Sequence, residues 1–164
     1  MVMTRRISLA AMVTLGVAVT SASPSLSTEQ AVLATVQTLI DAWREADVSK
    51  AASVLHDSYR LTSLQDSGEG IHVFVDARQG LLAAVAKLHR NQWDVRLERT
   101  TVTIDPNGMA TVWAKYEFFS NGTSNHCGYE LYTLFHVADG WKIVSFADTD
   151  TALNGRDAAH VCPG

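Results

Sequence analysis

From Trp93 onward the chain reads as a series of strand-like runs, at 93–104, 110–120, 125–137 and 141–148. Each break carries a hairpin signal: DPNG, then Asn121-Gly122, then Asp139-Gly140. Asn-Gly and Asp-Gly supply the positive φ that a two-residue turn needs, and that turn's twist matches the strands it joins. Strands joined this way lie antiparallel, and such a sheet can bury one face and leave the other wet. The first half reads differently. Ser27 with Gln30 forms a capping box, and Val32, Val36, Leu39, Ile40 and Trp43 follow at helical spacing. Ser49 is expected to cap a short second helix through Leu55. Asp76 with Gln79 is expected to cap a third, with Leu81, Leu82, Val85 and Leu88 on one face. The runs 58–64 and 70–75 between them are strand-like. Helices first and long antiparallel strands last make an α+β order with no βαβ alternation.

The N-terminus stands apart from this pattern. Arg5 and Arg6, an apolar run from Ile7 to Val19 and then small residues follow the order of a secretory signal, with cleavage expected after Ala22. The run is too short for a membrane span, which needs about 20 apolar residues. The expected organisation is a signal peptide at 1–22, a leader at 23–27, one domain over 28–150 and a polar tail at 151–164. The protein is therefore expected to be exported, periplasmic or secreted, with no membrane attachment once the signal is gone. Losing Arg5 and Arg6 makes the chain more acidic than its formal charge of −4. Its Lys and Arg are scattered with no basic stripe, which argues against nucleic acid as a partner.

The turns predict a register. With Asn121-Gly122 as a two-residue turn, Ser120 lies opposite Thr123, Tyr116 opposite Cys127, Glu117 opposite His126 and Trp113 opposite Glu130. With Asp139-Gly140 treated alike, Phe135 meets Val144 and Leu131 meets Asp148. The face toward the helices then carries Val112, Ala114, Tyr116 and Phe118, with Tyr129, Leu131 and Phe135, and with Val144 and Phe146. The opposite face carries Trp113, Lys115, Glu117, His126, Glu130, Tyr132, Leu134 and His136. That face is apolar enough to suggest a homodimer. A single bulge would exchange the two sets beyond it.

The segments LIDAWREADVSKAASVLHDSYRLTS, ATVWAKYEFFSNGTSNHCGYELYTLF and DGWKIVSFADT resemble the nuclear transport factor 2-like superfamily, in its exported bacterial branch. The superfamily includes SnoaL-like polyketide cyclases, ketosteroid isomerases and scytalone dehydratases. The resemblance implies a cystatin-like cone, N-terminal helices packed on a curved antiparallel sheet, with a pocket between them. Polar groups on the inward row then become candidate ligand-binding residues: Tyr116, Tyr129 and Asp148, with Tyr59 on the first strand. His126 and Glu130 take the pocket if the strand phase is inverted, which would favour an enzyme. Tyrosine and aspartate in an apolar cone are the groups that ketosteroid isomerases use as oxyanion donor and proton shuttle.

Two cysteines in an exported chain pair more often than they react, so Cys127 and Cys162 are expected to form a disulfide that ties down the tail. Such a loop is worth about 3–4 kcal/mol in the chain-entropy model. Neighbouring residues on a strand point to opposite faces, so His126 is poorly placed to activate Cys127 as a nucleophile. The six histidines are dispersed without metal-ligand spacing, and no metal or cofactor is expected. No nucleophile elbow or glycine-rich phosphate loop is present. The expected function is binding of a small, partly apolar molecule without catalysis. The alternative is a cofactor-free lyase, isomerase or cyclase with an Asp or His base.

Overall fold

The apolar stripe of the first helix decides what it packs against. In the computed structural model, which describes residues 28–66 and 70–152, Thr28–Glu45 forms α1 and buries Val32, Val36, Leu39, Ile40 and Trp43. The signal and leader segments, the Ser27 cap and Cys162 lie outside the described residues. The second helix, α2, spans Val48–Val54 and starts two residues earlier than expected. Asp47, not Ser49, is its cap, with the carboxylate accepting from the Lys50 amide at 2.9 Å. Strands β1 (Leu55–Asp66) and β2 (Ile71–Ala77) follow, then α3 (Arg78–Val85). Ala77 occupies the cap position of α3 with no side-chain bond, while Asp76 accepts from the Ala77 amide at 2.7 Å. The remaining strands are β3 (Trp93–Asp105), β4 (Met109–Ser120), β5 (Thr123–Val137) and β6 (Gly140–Ala152). The last runs into the segment read as tail.

The six strands form one sheet in the order β2-β1-β6-β5-β4-β3, antiparallel throughout except for the β1–β6 pair. Helix α1 lies across β3, β4 and β6, and α3 lies on β1 and β2. Arg44 pins α1 to β3 through Asp94 at 2.7 Å. Irregularities bend the sheet around the helices. In β3 one falls between Glu98 and Thr101, where Arg99 takes a positive φ of 48°. Two more lie in β5 and β6, and they overturn the expected register.

At the β4–β5 turn, Asn121 and Gly122 both have positive φ, and Ser120 pairs with Thr123 as expected. Phe119 still faces Ser124, but Phe118 then faces His126. Asn125 is an extra residue with no partner, a bulge that inverts the phase of everything after it on β5. Tyr116 pairs with Gly128 rather than Cys127, Glu117 with Cys127 rather than His126, and Trp113 with Leu131 rather than Glu130. The β4 phase holds, with Val112 and Ala114 fully buried, Tyr116 nearly so and Trp113 exposed. On β5, His126, Glu130, Tyr132 and Leu134 turn inward, and Tyr129 and Phe135 turn out. At the next hairpin Val137 pairs with Gly140, so the turn residues are Ala138 and Asp139. A second shift between Thr133 and Leu134, opposite Val144, brings Tyr132 across from Phe146 and Glu130 across from Asp148.

Two consequences concern stability. Glu130 is 1% exposed, among the most buried side chains of the chain, and Tyr132 donates to its Oε2 at 2.6 Å. Burial pushes its pKa up to about 8, with the nearby Asp148 charge adding to the rise and the Tyr132 bond opposing it. A carboxyl group with a raised folded-state pKa favours the fold fully below its unfolded value, near 4.5. That contribution fades as pH climbs through 8. The second consequence concerns Gly128, which faces inward between His126 and Glu130. A Cβ there would collide with the Thr149 carbonyl oxygen, which leans across β5 to accept the Tyr116 hydroxyl at 3.2 Å. The Thr149 hydroxyl compensates by accepting from the Tyr129 amide at 3.1 Å.

Thermal melts should therefore show stability falling between pH 5 and pH 9. Glu130→Gln, which keeps an oxygen for Tyr132, should flatten the upper part of that decline and be more stable than the parent at pH 9 by roughly 3–5 kcal/mol. A parent curve flat from pH 6 to 9 would contradict a buried, protonated Glu130. Gly128→Ala should destabilise by about 2–4 kcal/mol, because the Thr149 carbonyl must move and the Tyr116 bond is lost. An unchanged midpoint in denaturant would refute that close approach.

Candidate functional site

Alternation along three neighbouring strands builds one wall of a cavity. On β1 the inward residues are Tyr59, Leu61, Ser63 and Gln65; on β6 they are Phe146, Asp148 and Asp150; on β5, His126 and Glu130. Tyr116 and Phe118 of β4 and Trp93 and Val95 of β3 continue the surface. Trp43 of α1, Leu81 and Ala84 of α3, and Phe74 and Asp76 of β2 close the other side. The enclosed volume is about 370 Å3, which suits a small organic molecule.

Apolar and aromatic side chains make most of the lining, so the acids within it are poorly solvated. Burial raises the Asp148 pKa to about 6, helped by Asp150 and opposed by a hydrogen bond from Ser63, which sits across from it on β1. Asp150 is raised too, first by burial and against the pull of His126. One carboxylate oxygen of each, Oδ1, is buried without a hydrogen-bond partner. The Tyr59 hydroxyl and the Trp43 indole N–H are likewise buried and unpartnered. Such groups are costly in an empty core, and their convergence in a cavity marks a place for a polar ligand.

His126 sits edge-on to Tyr116 and stacks on Phe118 with ring centres 4.6 Å apart. Burial lowers its pKa, against the opposing charge of Asp150. The ring is therefore neutral at pH 7. Its Nδ1 lies 2.9 Å from Asn125 Oδ1 and 4.0 Å from Asp150 Oδ1. Asn125 Oδ1 accepts, so the tautomer that satisfies it carries its proton on Nδ1 and leaves Nε2 as the acceptor, and Asp150 lies too far for a hydrogen bond. Tyr59 and Tyr116 both have pKa values raised by burial, with Asp148 adding to the effect, and stay protonated.

Of the residues expected to form the site, Tyr59, Tyr116, Asp148 and His126 line this cavity together. Tyr129 does not. It lies on the outer face, 47% exposed and stacked on Trp113 at 5.3 Å, because the Asn125 bulge reverses its side of the sheet. Tyr116 enters the cavity with its hydroxyl proton committed to Thr149. The free hydroxyl donor is Tyr59. Glu130 joins the site with His126, as expected for an inverted phase on β5, and Asp150 and Trp43 join it without having been singled out. Asp150 was legible, since it stands two residues from Asp148 on one strand and must share its face. Among the described residues no group of three or more His, Cys, Asp or Glu side chains is arranged to hold a metal ion.

The sequence matches the model of the SnoaL-like domain over residues 36–146. Solved structures share the fold at low identity. An NTF2-like protein with a cystatin-like fold from Novosphingobium aromaticivorans is 17% identical, with a TM-score of 0.61 over 80% of this chain and 86% of that one. An NTF2-like protein from Cytophaga hutchinsonii is 16% identical, with a TM-score of 0.60 over 76% and 99%. A candidate dehydratase of the NTF2-like family from Streptomyces avermitilis is 16% identical, with a TM-score of 0.56 over 73% and 93%. No curated protein matches the sequence. The family match spans most of the chain, and the α+β cone with its pocket agrees with the cystatin-like fold of these structures: the chain belongs to the SnoaL-like domain family.

Proposed function

We propose that the cone binds a small, largely apolar molecule bearing a carbonyl or hydroxyl group and moves a proton on it without a cofactor, as an isomerase, lyase or cyclase. What supports catalysis over simple binding is the pair of buried, partnerless carboxylate oxygens on Asp148 and Asp150, beside a neutral His126 in an apolar cavity. A base with a pKa of about 6 is mostly ionised at neutral pH and still strong enough to take a proton. In this reading Asp148 accepts the proton from carbon next to the carbonyl. The Tyr59 hydroxyl and the Trp43 N–H stabilise the negative charge that grows on the oxygen. His126, oriented by Asn125, carries a proton to or from a second position on the same molecule. Activity should rise with pH through about 6, as Asp148 ionises.

Deuterium uptake from heavy water into a panel of cyclic ketones, neutral and charged, followed by NMR, tests the reading. The parent should accelerate exchange next to the carbonyl, and Asp148→Asn should slow it about 10²–10⁴-fold while the ketone still binds. Ketone binding with no exchange above buffer would leave a non-catalytic binding protein instead.

The expected homodimer also carries forward as a proposal, with an altered set of residues. Tyr132 and Leu134 are buried inside, and the outer face instead exposes Met109, Trp113, Tyr129 and Phe135. Four large apolar side chains on one sheet face favour a partner. Sedimentation at micromolar concentration should show a dimer, and Trp113→Glu should shift it to monomer; a parent that sediments as a monomer would count against this.

A further inference from the structure

The charge of the cavity is as one-sided as its polarity. Four carboxyl side chains reach it, Asp76, Glu130, Asp148 and Asp150, and among the described lining residues there is no Lys or Arg. The only other ionisable groups there are His126 and two tyrosines, and the raised tyrosine pKa values and lowered histidine pKa keep all three neutral near pH 7. Around these acids stand electron-rich rings: Trp43, Trp93, Tyr59 and Tyr116, with Phe118 and Phe146. The faces of such rings attract a cation, and they do so more strongly where water is excluded. Tyr59, one of the lining residues, is fully buried and its hydroxyl has no hydrogen-bond partner. Two carboxylate oxygens of the lining, Asp148 Oδ1 and Asp150 Oδ1, have no donor among the described residues.

We infer that the ligand is an organic cation, a protonated or quaternary amine on a compact apolar body, seated with its ammonium against Asp148 and Asp150 and its body among the rings. The inference rests on the cavity being the ligand site proposed above, and it adds the charge of the molecule that enters. An ammonium supplies what the wall lacks, either donors to the orphaned oxygens or, without N–H groups, a diffuse positive charge for the rings. An anionic ligand would meet ionised aspartates with no Lys or Arg among the described lining residues to offset them. The cation would also hold Asp148 in its ionised, proton-accepting form, so binding and the proposed chemistry favour the same protonation state.

Binding must then depend on pH. Asp148 is faced by Tyr59 and Ser63 from β1, Asp76 from β2, Tyr116 from β4, and His126 and Glu130 from β5, with Asp150 on its own strand. None of these is a fixed positive charge. Lowering the pH through about 6 protonates Asp148 and weakens the site for a cation.

Three probes on one bicyclic skeleton separate charge from shape: 2-aminotetralin as its ammonium, 2-tetralol as the neutral analogue and tetralin-2-carboxylate as the anion. By calorimetry or NMR titration at pH 7.5, the ammonium should bind about tenfold or more tightly than the alcohol, and the carboxylate should bind weakest. The preference should shrink at pH 5. It should also fall in Asp148→Asn and in Asp150→Asn, with alcohol affinity little changed. An alcohol that binds as tightly as the ammonium to the parent protein overturns the inference, and that comparison needs no variant to fold. Ketone exchange combined with no preference for the ammonium would sink this inference and leave the catalytic reading standing. Ammonium preference without exchange on any ketone would do the reverse.

Discussion

Side chains alternate along a strand, so the single unpaired residue Asn125 governs half of the interior. Its presence turns His126, Glu130, Tyr132 and Leu134 toward the helices and sends Tyr129 and Phe135 out. Without it, β5 would present Cys127, Tyr129 and Leu131 to α1, and no base or acid from β5 would reach the cavity. The bulge also places Asn125 where its side-chain oxygen meets His126 Nδ1 at 2.9 Å. One backbone irregularity thus sets the wall of the site and supports the ring of its histidine. Bulges are common beside active sites for this reason: they re-aim side chains without breaking the sheet.

The inward turn of β5 brings a burden with it. Glu130 enters a nearly waterless region opposite Asp148, and the fold tolerates it through the Tyr132 hydroxyl and by keeping it protonated. A buried carboxyl group held neutral has a smaller penalty than a buried charge, but it ties stability to pH. Asp148 and Asp150 carry a similar strain in milder form, each with an oxygen that has no partner among the described residues. Stability alone would select against these three acids at one site. Their concentration in a single cavity is what separates this cone from an ordinary hydrophobic interior.

The sheet is also irregular where these acids sit. Between the Cys127–Thr151 and Glu130–Asp148 pairs the β5–β6 ladder is interrupted, and the Thr149 carbonyl and hydroxyl take bonds from Tyr116 and Tyr129 instead. Gly128 leaves the space for this exchange. Tyr116 spans from β4 over β5 to β6, locking three strands together at the cavity wall. Its hydroxyl is tied to the Thr149 carbonyl, whereas the Tyr59 hydroxyl has no such tie. Two tyrosines of similar burial therefore have different availability to a ligand.

Element order, the helical stripe of α1, the hairpins and the family resemblance follow from local patterns, and the sequence alone determined them. Periodicity and turn chemistry act over a few residues, so Val32 through Trp43 and Asn121-Gly122 carry their own instructions. The β4 face was legible for the same reason, as were Asp148 and Tyr59. The β5 face was not. Cys127, Tyr129, Leu131, Thr133 and Phe135 are more apolar than His126, Gly128, Glu130, Tyr132 and Leu134, so the local pattern points to the wrong phase. Only packing decides it: the curvature needed to wrap α1 demands a bulge, and the bulge at Asn125 assigns Glu130 and His126 to the interior and Tyr129 to the surface. Which acids meet, and which of their oxygens are left without partners, depends on the register of the β5–β6 hairpin and on its contact with β1, a strand far away in the chain. That information exists only once the sheet has closed around the helices.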